Sequence, residues 1–245
     1  MRVAVAGGTG MVGRPVVAEL ETAGHDPVIL ARSQGVDLTT GAGLADRIAG
    51  CEAIIDASNL MTTSRAKSIK FFTVVTRNLI AAAEQAGAGH LIALSIVGID
   101  RVGYGYYQGK LAQELLLAAG GVPWSVLRAT QFFEFPDHLL GHRFPVAVMP
   151  KMLSQPVATA DVATALVDLL DAGPSGQATP IAGPERLYLD DMARRLERAR
   201  GSRRPVLGIA LPGKVGRQIA EGGLVPDGDH IEGKRTFAGY LSSLR

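Results

Sequence analysis

The chain has 245 residues, 47% of them hydrophobic, and 25 basic residues nearly balance 23 acidic ones for a formal charge of +2. That length can bury a substantial core in one domain or in a large domain with an appended lobe, and the balanced charge creates no field favouring nucleic acid or an anionic membrane. The single cysteine, Cys51, excludes an intrachain disulfide and fits a reducing compartment, where a small thiol beside an apolar run is expected to be buried.

Met1-Arg2 leads into Val3-Ala4-Val5-Ala6, and glycine interrupts this run too early for a signal peptide's apolar region. The longest apolar stretches, such as Leu115 to Val122, fall well short of the roughly 20 residues of a membrane-spanning helix. A soluble cytoplasmic protein is expected, with a small molecule as its partner and neither membrane nor nucleic acid.

Five near-continuous apolar runs follow in chain order: Arg2 to Ala6, Pro27 to Ala31, Ala53 to Asp56, His90 to Ser95 and Trp124 to Thr130. Runs of this kind are strands covered on both faces. Between them, Val12, Val16 and Leu20 make a helical stripe, Phe72, Val75, Leu79 and Ala82 a second, and Leu111, Leu115 and Ala119 a third. Gly24, Gly87 and Gly120-Gly121 stand where these helices should stop with left-handed backbone. The alternation predicts an α/β fold built on a doubly wound parallel sheet of Rossmann type. Beyond Phe135 the prolines 136, 145, 150 and 156 break the pattern. The spacing then predicts a helix from near Asp161, a strand over Ala178 to Ala182, and a helix from Asp190 to Ala199 with Leu189, Met192 and Leu196 inward.

Gly7-Gly8-Thr9-Gly10-Met11-Val12-Gly13 joins the first strand to the first helix, with Gly7, Gly10 and Gly13 spaced G-x-x-G-x-x-G. A glycine is needed for the sharp turn, another where backbone approaches a pyrophosphate, and a third where helix and strand pack closely, while the helix N-terminus offers N–H groups to the anion. Gly7, Thr9, Gly10, Met11, Val12 and Gly13 are therefore the candidate cofactor contacts. The second strand runs into Ala31-Arg32-Ser33, without the carboxylate that usually binds ribose hydroxyls. Arg32 and Ser33 instead suit a 2′-phosphate, and NADP(H) is the expected cofactor. Asp37 and Leu38 are placed near the adenine by topology, although a loop aspartate more often caps a turn or helix, and Ala57, Ser58 and Asn59 near the adenosine or ribose. Residues 1–135 are thus expected to form an NADP(H)-binding Rossmann domain, and residues 136–245 a smaller C-terminal lobe packed on it.

With Tyr106-Tyr107-Gln108-Gly109-Lys110, Leu94-Ser95-Ile96-Val97-Gly98, Arg128-Ala129-Thr130-Gln131-Phe132, Gln155-Pro156-Val157 and Ile181-Ala182-Gly183-Pro184 added to the glycine turn, the sequence resembles the atypical short-chain dehydrogenase/reductases, specifically their NmrA-like, NAD(P)-binding branch. The resemblance implies that Tyr106 is the general acid for carbonyl reduction, that Lys110 lowers its pKa and holds the nicotinamide ribose, and that Ser95 orients the substrate oxygen. The spacing agrees, since residues i and i+4 of a helix share a face and a nearby cation favours a phenolate. The residues alone leave other readings open: Lys110 paired on the surface with Glu114, Tyr107 as the alternative phenol, and Ser95 as a turn cap. The usual Asn-Asn-Ala-Gly is replaced by Asp56-Ala57-Ser58-Asn59.

Thr130 is expected at the nicotinamide, with Gln131, Phe132 and Phe133 walling a substrate cavity or, for the two phenylalanines, filling core, and with Phe144, Met149 and Met152 lining an apolar pocket. His138 and His142 share a helical face but lack a third ligand, so no metal is expected. Arg194, Arg195, Arg198, Arg203 and Arg204 read as a solvated helix face. The expected activity is NADP(H)-dependent reduction of a carbonyl or quinone-like molecule. The alternative is a non-catalytic NADP(H) sensor, and transient-redox isomerisation or epimerisation is open to the fold without a residue that singles it out.

Overall fold

The computed structural model describes residues 1–140 and 145–244. In chain order they form β1 (Arg2–Ala6), α1 (Gly13–Thr22), β2 (Asp26–Leu30), a 3-10 turn (Arg32–Gln34), α2 (Leu44–Ile48), β3 (Ala53–Asp56), α3 (Arg65–Ala86), β4 (His90–Ile96), α4 (Gly105–Ala119) and β5 (Trp124–Ala129). There follow α5 (Phe135–Leu140), β6 (Ala147–Pro150), β7 (Leu153–Ser154), α6 (Thr159–Ala172), β8 (Gly176–Gln177), β9 (Ile181–Ala182), β10 (Leu187–Tyr188), α7 (Leu189–Ala199), β11 (Val206–Ile209), α8 (Gly213–Ala220), β12 (Ile231–Glu232) and α9 (Phe237–Ser242). No helix among the described residues is long and apolar enough to cross a membrane.

The chain divides into two interleaved units, in contrast to a single break at residue 135. One comprises Met1–Ser95, Tyr104–Arg128 and Val162–Thr179; the other comprises Ile96–Gly103, Ala129–Asp161 and Pro180–Arg245. In the first unit the strand order runs β8, β5, β4, β3, β1, β2, with β1 parallel to both β2 and β3, and β3 parallel to β4. This is a doubly wound, Rossmann-like sheet. The chain passes from β1 to β2 on one side and then returns to β3 on the other, so the topological switch falls between the carboxyl ends of β1 and β3. Val3, Ala4, Val5, Ile54, Ile55, Leu91 and Ile92 are buried, as strands covered on both faces require. Pro27 lies in β2 because β2 ends this sheet and its missing N–H interrupts no interior ladder.

Val16 and Leu20 of α1, and Phe72, Val75, Leu79 and Ala82 of α3, point into the core as their spacing predicts. The third stripe is inverted. The buried face of α4 is Gly109, Lys110, Gln113, Glu114 and Leu117, whereas Leu115 is 71% exposed. The polar side chains go inward because each has a partner there: Glu114 takes two hydrogen bonds from Arg128, at 3.0 and 2.7 Å, and another from Gln177 at 3.1 Å. Gly24 and Gly87 take positive φ past their helices, but Gly120 closes α4 in extended backbone.

In the second unit β6 pairs with β11 and β7 with β10, and β9 pairs with Ala129 and with β12. Leu189, Met192 and Leu196 of α7 are buried as expected, and Met149 and Met152 are buried too, Met149 within a core of Leu140, Ala147, Ala193, Leu196 and Val206. Their expected place in a ligand pocket is thereby corrected to core packing. The strand expected over Ala178 to Ala182 shortens to Ile181–Ala182, Pro180 having no N–H to donate. The arginine run is largely spent within this unit: Arg194 on Asp190, Arg195 over the Phe237 ring, and Arg204 beside Glu197. His142 and Phe144 lie outside the described residues, and no group of three or more metal-binding side chains occurs among the described ones.

Helices α3 and α4 approach so closely that a Cβ on Gly109 would collide with Ser68 Oγ and the Phe72 ring. Gly109→Ala is expected to destabilise the protein by about 1–3 kcal/mol through overpacking, measured as a lower urea midpoint at unchanged slope; an unchanged midpoint would contradict this packing.

Candidate active site

β1 ends in a turn whose backbone is held by Gly7 N–H to Leu30 O (3.1 Å), Gly8 N–H to Val5 O (3.2 Å) and Gly10 N–H to Gly7 O (2.8 Å). Gly7 has φ +75°, which side chains rarely adopt, and a Cβ there would stand 3.0 Å from Ala57 O and Ser58 Cα. A Cβ on Gly13 would overlap the Gly7 carbonyl oxygen, so the start of α1 sits directly on the turn. Thr9, Gly10 and Met11 are exposed, Val12 is buried, and no side chain caps α1. Arg14 holds the turn from the helix side, donating from Nε to Thr9 O at 2.9 Å. An uncapped helix N-terminus behind an exposed glycine turn fits a pyrophosphate.

Across the switch point, Asp56 is buried at the end of β3, and its Oδ1 accepts from Ser58 N–H at 2.8 Å. This fixes Ala57 and Ser58 against Gly7. Arg32 and Ser33 are exposed in the 3-10 turn just past β2. Asp37 is occupied as the cap of its own loop: Oδ1 accepts from Thr39 N–H (2.8 Å) and Thr39 Oγ1 (2.6 Å), contacts that hold its carboxyl below the usual range. Asp37 thus caps its own turn through Oδ1, as its position also allowed, and Leu38 is partly buried against the core, its carbonyl taking a hydrogen bond from Asn78.

Lys110 is the centre of the arrangement. It is only 4% exposed, which excludes the surface pair with Glu114. Its ammonium donates to Leu94 O at 2.8 Å and to Gln113 Oε1 at 2.9 Å, and lies 4.3 Å from the centre of the Phe72 ring. Gln113 passes the connection on, its Nε2 donating to Asp56 Oδ2 at 2.7 Å. Desolvation lowers the Lys110 pKa to about 8 against the opposing pull of Asp56 and Glu114. Burial likewise raises the Asp56 pKa, opposed by Lys110 and by the bonds from Ser58 and Gln113.

Tyr106 does not share this arrangement. Its hydroxyl donates to Asn59 Oδ1 at 2.7 Å, and burial pushes its pKa up to about 12, the Asn59 bond opposing. The lowering of the Tyr106 pKa by Lys110, implied by the resemblance, is thus corrected: the ammonium is turned to the strand ends, and the phenol to the loop after β3. Tyr107 is raised further by burial and by its tyrosine neighbours. Ser95 is buried near the end of β4, and its Oγ finds no hydrogen-bond partner among the described residues. Ser95 is therefore not the turn cap that its position also allowed.

In the second unit, Thr130 Oγ1 donates to Gln155 O at 2.6 Å, and Gln131 Oε1 is buried without a partner among the described residues. Phe132 is half-buried, while Phe133 is buried in a cluster with Phe237 and Tyr240, so its reading as a cavity wall gives way to core. The sequence reading missed Asp56 and Gln113 as members of the site. The available signal was Lys110, Gln113 and Glu114 at i, i+3 and i+4, a polar face that needs internal partners if it is buried.

The glycine turn, the switch point and the buried lysine define a nucleotide-binding protein of the doubly wound α/β class. Residues 7–173 match the family described as NAD(P)H-binding, and the chain belongs to it. A curated relative from Streptomyces griseus subsp. griseus, (4-alkanoyl-5-oxo-2,5-dihydrofuran-3-yl)methyl phosphate reductase, is 28% identical over 213 residues, covering 80% of this chain and 73% of the relative. An NADPH-dependent quinone oxidoreductase from Escherichia coli, solved with NADPH, superposes with TM-score 0.72 at 21% identity, covering 99% of both chains. UDP-N-acetylglucosamine 4-epimerase from Bacillus cereus superposes with TM-score 0.70 at 18% identity, covering 100% of this chain and 97% of the other. At these identities the two structures establish the fold.

Gly13→Ala is expected to weaken NAD(P)H binding at least about tenfold by displacing the turn, measured by nicotinamide fluorescence. Wild-type affinity in this variant would show that the turn is not the cofactor site.

Proposed function

We propose that this protein is an NADP(H)-dependent oxidoreductase that reduces a carbonyl or quinone-like small molecule, within the NmrA-like branch. The observation that carries the reading is the buried Lys110 ammonium, held by the Leu94 carbonyl of β4 one residue before Ser95, whose hydroxyl has no partner among the described residues. The names of the Streptomyces griseus reductase and the Escherichia coli quinone oxidoreductase support the reaction class. For the cofactor, Gly7, Thr9, Gly10, Met11, Val12 and Gly13 take the pyrophosphate, Arg32 and Ser33 the 2′-phosphate, Ala57 to Asn59 the adenosine side, and Lys110 the nicotinamide end. Arg32 carries the NADP preference because a guanidinium at the end of β2 has the charge and fork geometry for a phosphate, and no carboxylate stands there to repel it.

NADPH, when bound, supplies a hydride; the chain must add a proton and a grip on the reacting oxygen. Ser95 offers its unpartnered hydroxyl as that grip. Lys110 keeps a cation near developing negative charge, which is most valuable in a site that excludes water. Tyr106 is the proton donor. Its raised pKa keeps the phenol protonated at neutral pH, and the proton leaves for an alkoxide or hydroquinone anion as the bond to Asn59 is exchanged for one to the substrate. In the second unit, Gln131 is the candidate for substrate recognition, its carbonyl oxygen being ready to accept from a donor on the ligand.

A second reading is favoured by one observation, the capture of the Tyr106 hydroxyl by Asn59: a sensor that binds NADP(H) without turnover. Titration with NADPH and NADH followed by a quinone and carbonyl panel separates the two, oxidation of NADPH supporting the reductase and binding without consumption the sensor. Arg32→Ala should raise the Kd for NADPH about tenfold or more while changing that for NADH far less; equal weakening would refute the phosphate contact. Tyr106→Phe should lower kcat by about 10²–10⁴-fold with KM little changed, and retained turnover would remove Tyr106 as the acid.

A further inference from the structure

An ammonium carries three N–H donors. Lys110 spends one on Leu94 O and one on Gln113 Oε1, and the tetrahedral geometry of the nitrogen then fixes the direction of the third. Leu94 O belongs to the backbone of β4 and cannot turn, so the adjustable partner is Gln113. Its amide has two chemically different ends, and only the carbonyl oxygen accepts from an ammonium, just as only the NH₂ group donates to a carboxylate. Asp56 Oδ2, at 2.7 Å from Nε2, therefore decides which end of Gln113 faces Lys110. The other oxygen of Asp56 holds Ser58 N–H, and Ser58 lies against Gly7. One chain of hydrogen bonds thus runs from Ser58, which packs on the glycine turn, to the buried lysine, with Gln113 as its joint.

We propose that Gln113 is a positioning residue, oriented by Asp56, that aims the remaining N–H of Lys110 at a hydroxyl of the bound nicotinamide cofactor. What the N–H meets rests on the cofactor reading above; the aiming by Gln113 does not. Gln113 is completely buried and touches Lys110 and Asp56 with its two polar atoms, so its role is exercised through them. The charged groups facing Lys110 are Asp56 at the end of β3 and Glu114 on α4, the latter paired with Arg128 of β5. From α3 comes the Phe72 ring, which does not titrate, and from β4 the Leu94 carbonyl.

The test begins on the protein without cofactor, by following the lysine ¹³Cε signals through a pH titration and assigning Lys110 by its loss in Lys110→Arg. Gln113→Glu places an anion against the ammonium and should raise its midpoint from about 8, whereas Gln113→Met removes an acceptor and should lower it, each by about one pH unit. NADPH titrations follow on the same variants. Gln113→Met should weaken binding about tenfold, and the alkaline loss of affinity should move down in pH for this variant and up for Gln113→Glu. A merely structural role would lower thermal stability without moving the two midpoints in opposite directions. Identical Lys110 titrations in all three proteins would overturn the proposal, as would shifted titrations with unchanged NADPH affinity. If Gln113→Met fails to fold, Asp56→Asn removes the orienting charge at nearly constant volume and should also lower the Lys110 midpoint; an unshifted midpoint there is equally fatal. A wild-type protein that binds no NADPH would defeat the cofactor reading, while the cofactor-free titration would still decide the role of Gln113.

Discussion

An ammonium taken out of water must find acceptors, and much of the first unit is arranged to supply them to Lys110. An isolated buried charge costs far more than the stability of a whole domain, so it persists only when paired and hydrogen-bonded. Here a backbone carbonyl, an amide oxygen, an aromatic face and a carboxylate one residue further away share that task. Each provider constrains its own element. Phe72 must lie beneath the ammonium, which brings α3 against α4 and leaves room only for glycine at 109, and Ser68 seals the same contact by donating to Tyr106 O at 2.7 Å. Asp56 must sit at the end of β3, where it also shapes the loop resting on the glycine turn.

This constraint explains where the sequence was legible and where it was not. The strands of the first unit were readable because they are buried on both faces, and β1 and β3 lie where their apolar runs place them. The glycine turn was readable because backbone geometry leaves no other residue for its positions: Gly7 needs positive φ, and Gly13 has no room for a Cβ. Helix α4 misled the periodicity because its inward face carries Lys110, Gln113 and Glu114 while Leu115 faces outward. Hydrophobic spacing assumes that polar residues seek water, and it fails where the partners that replace water come from elements distant in sequence, such as Asp56, Arg128 and Gln177.

The same distinction separates the parts of the candidate site. Residue types whose chemistry is carried by position alone, such as Arg32 at the end of β2, need only the correct topology. Residues such as Tyr106 and Asp37 depend on what their polar atoms already hold, and that is decided by tertiary neighbours. The Tyr106–Lys110 spacing suggested a coupled pair, yet the phenol bonds to Asn59 and the ammonium to Gln113. Both retain chemical value, but they are served by different supports.

The residues linking Ser95 to Tyr106 have a separate allegiance. Ile96–Gly103 folds with the second unit. There Gly98 has φ +77°, and a Cβ on it would collide with the Gly223 carbonyl oxygen, Arg101 is ion-paired with Asp227 and donates to Val225 O at 2.7 Å, and Gln218 donates to Arg101 O at 2.6 Å. The segment between two proposed catalytic residues is therefore held within the second unit by residues 218–227. Changes to residues 218–227 bear on this connecting segment although more than a hundred residues separate the two in sequence.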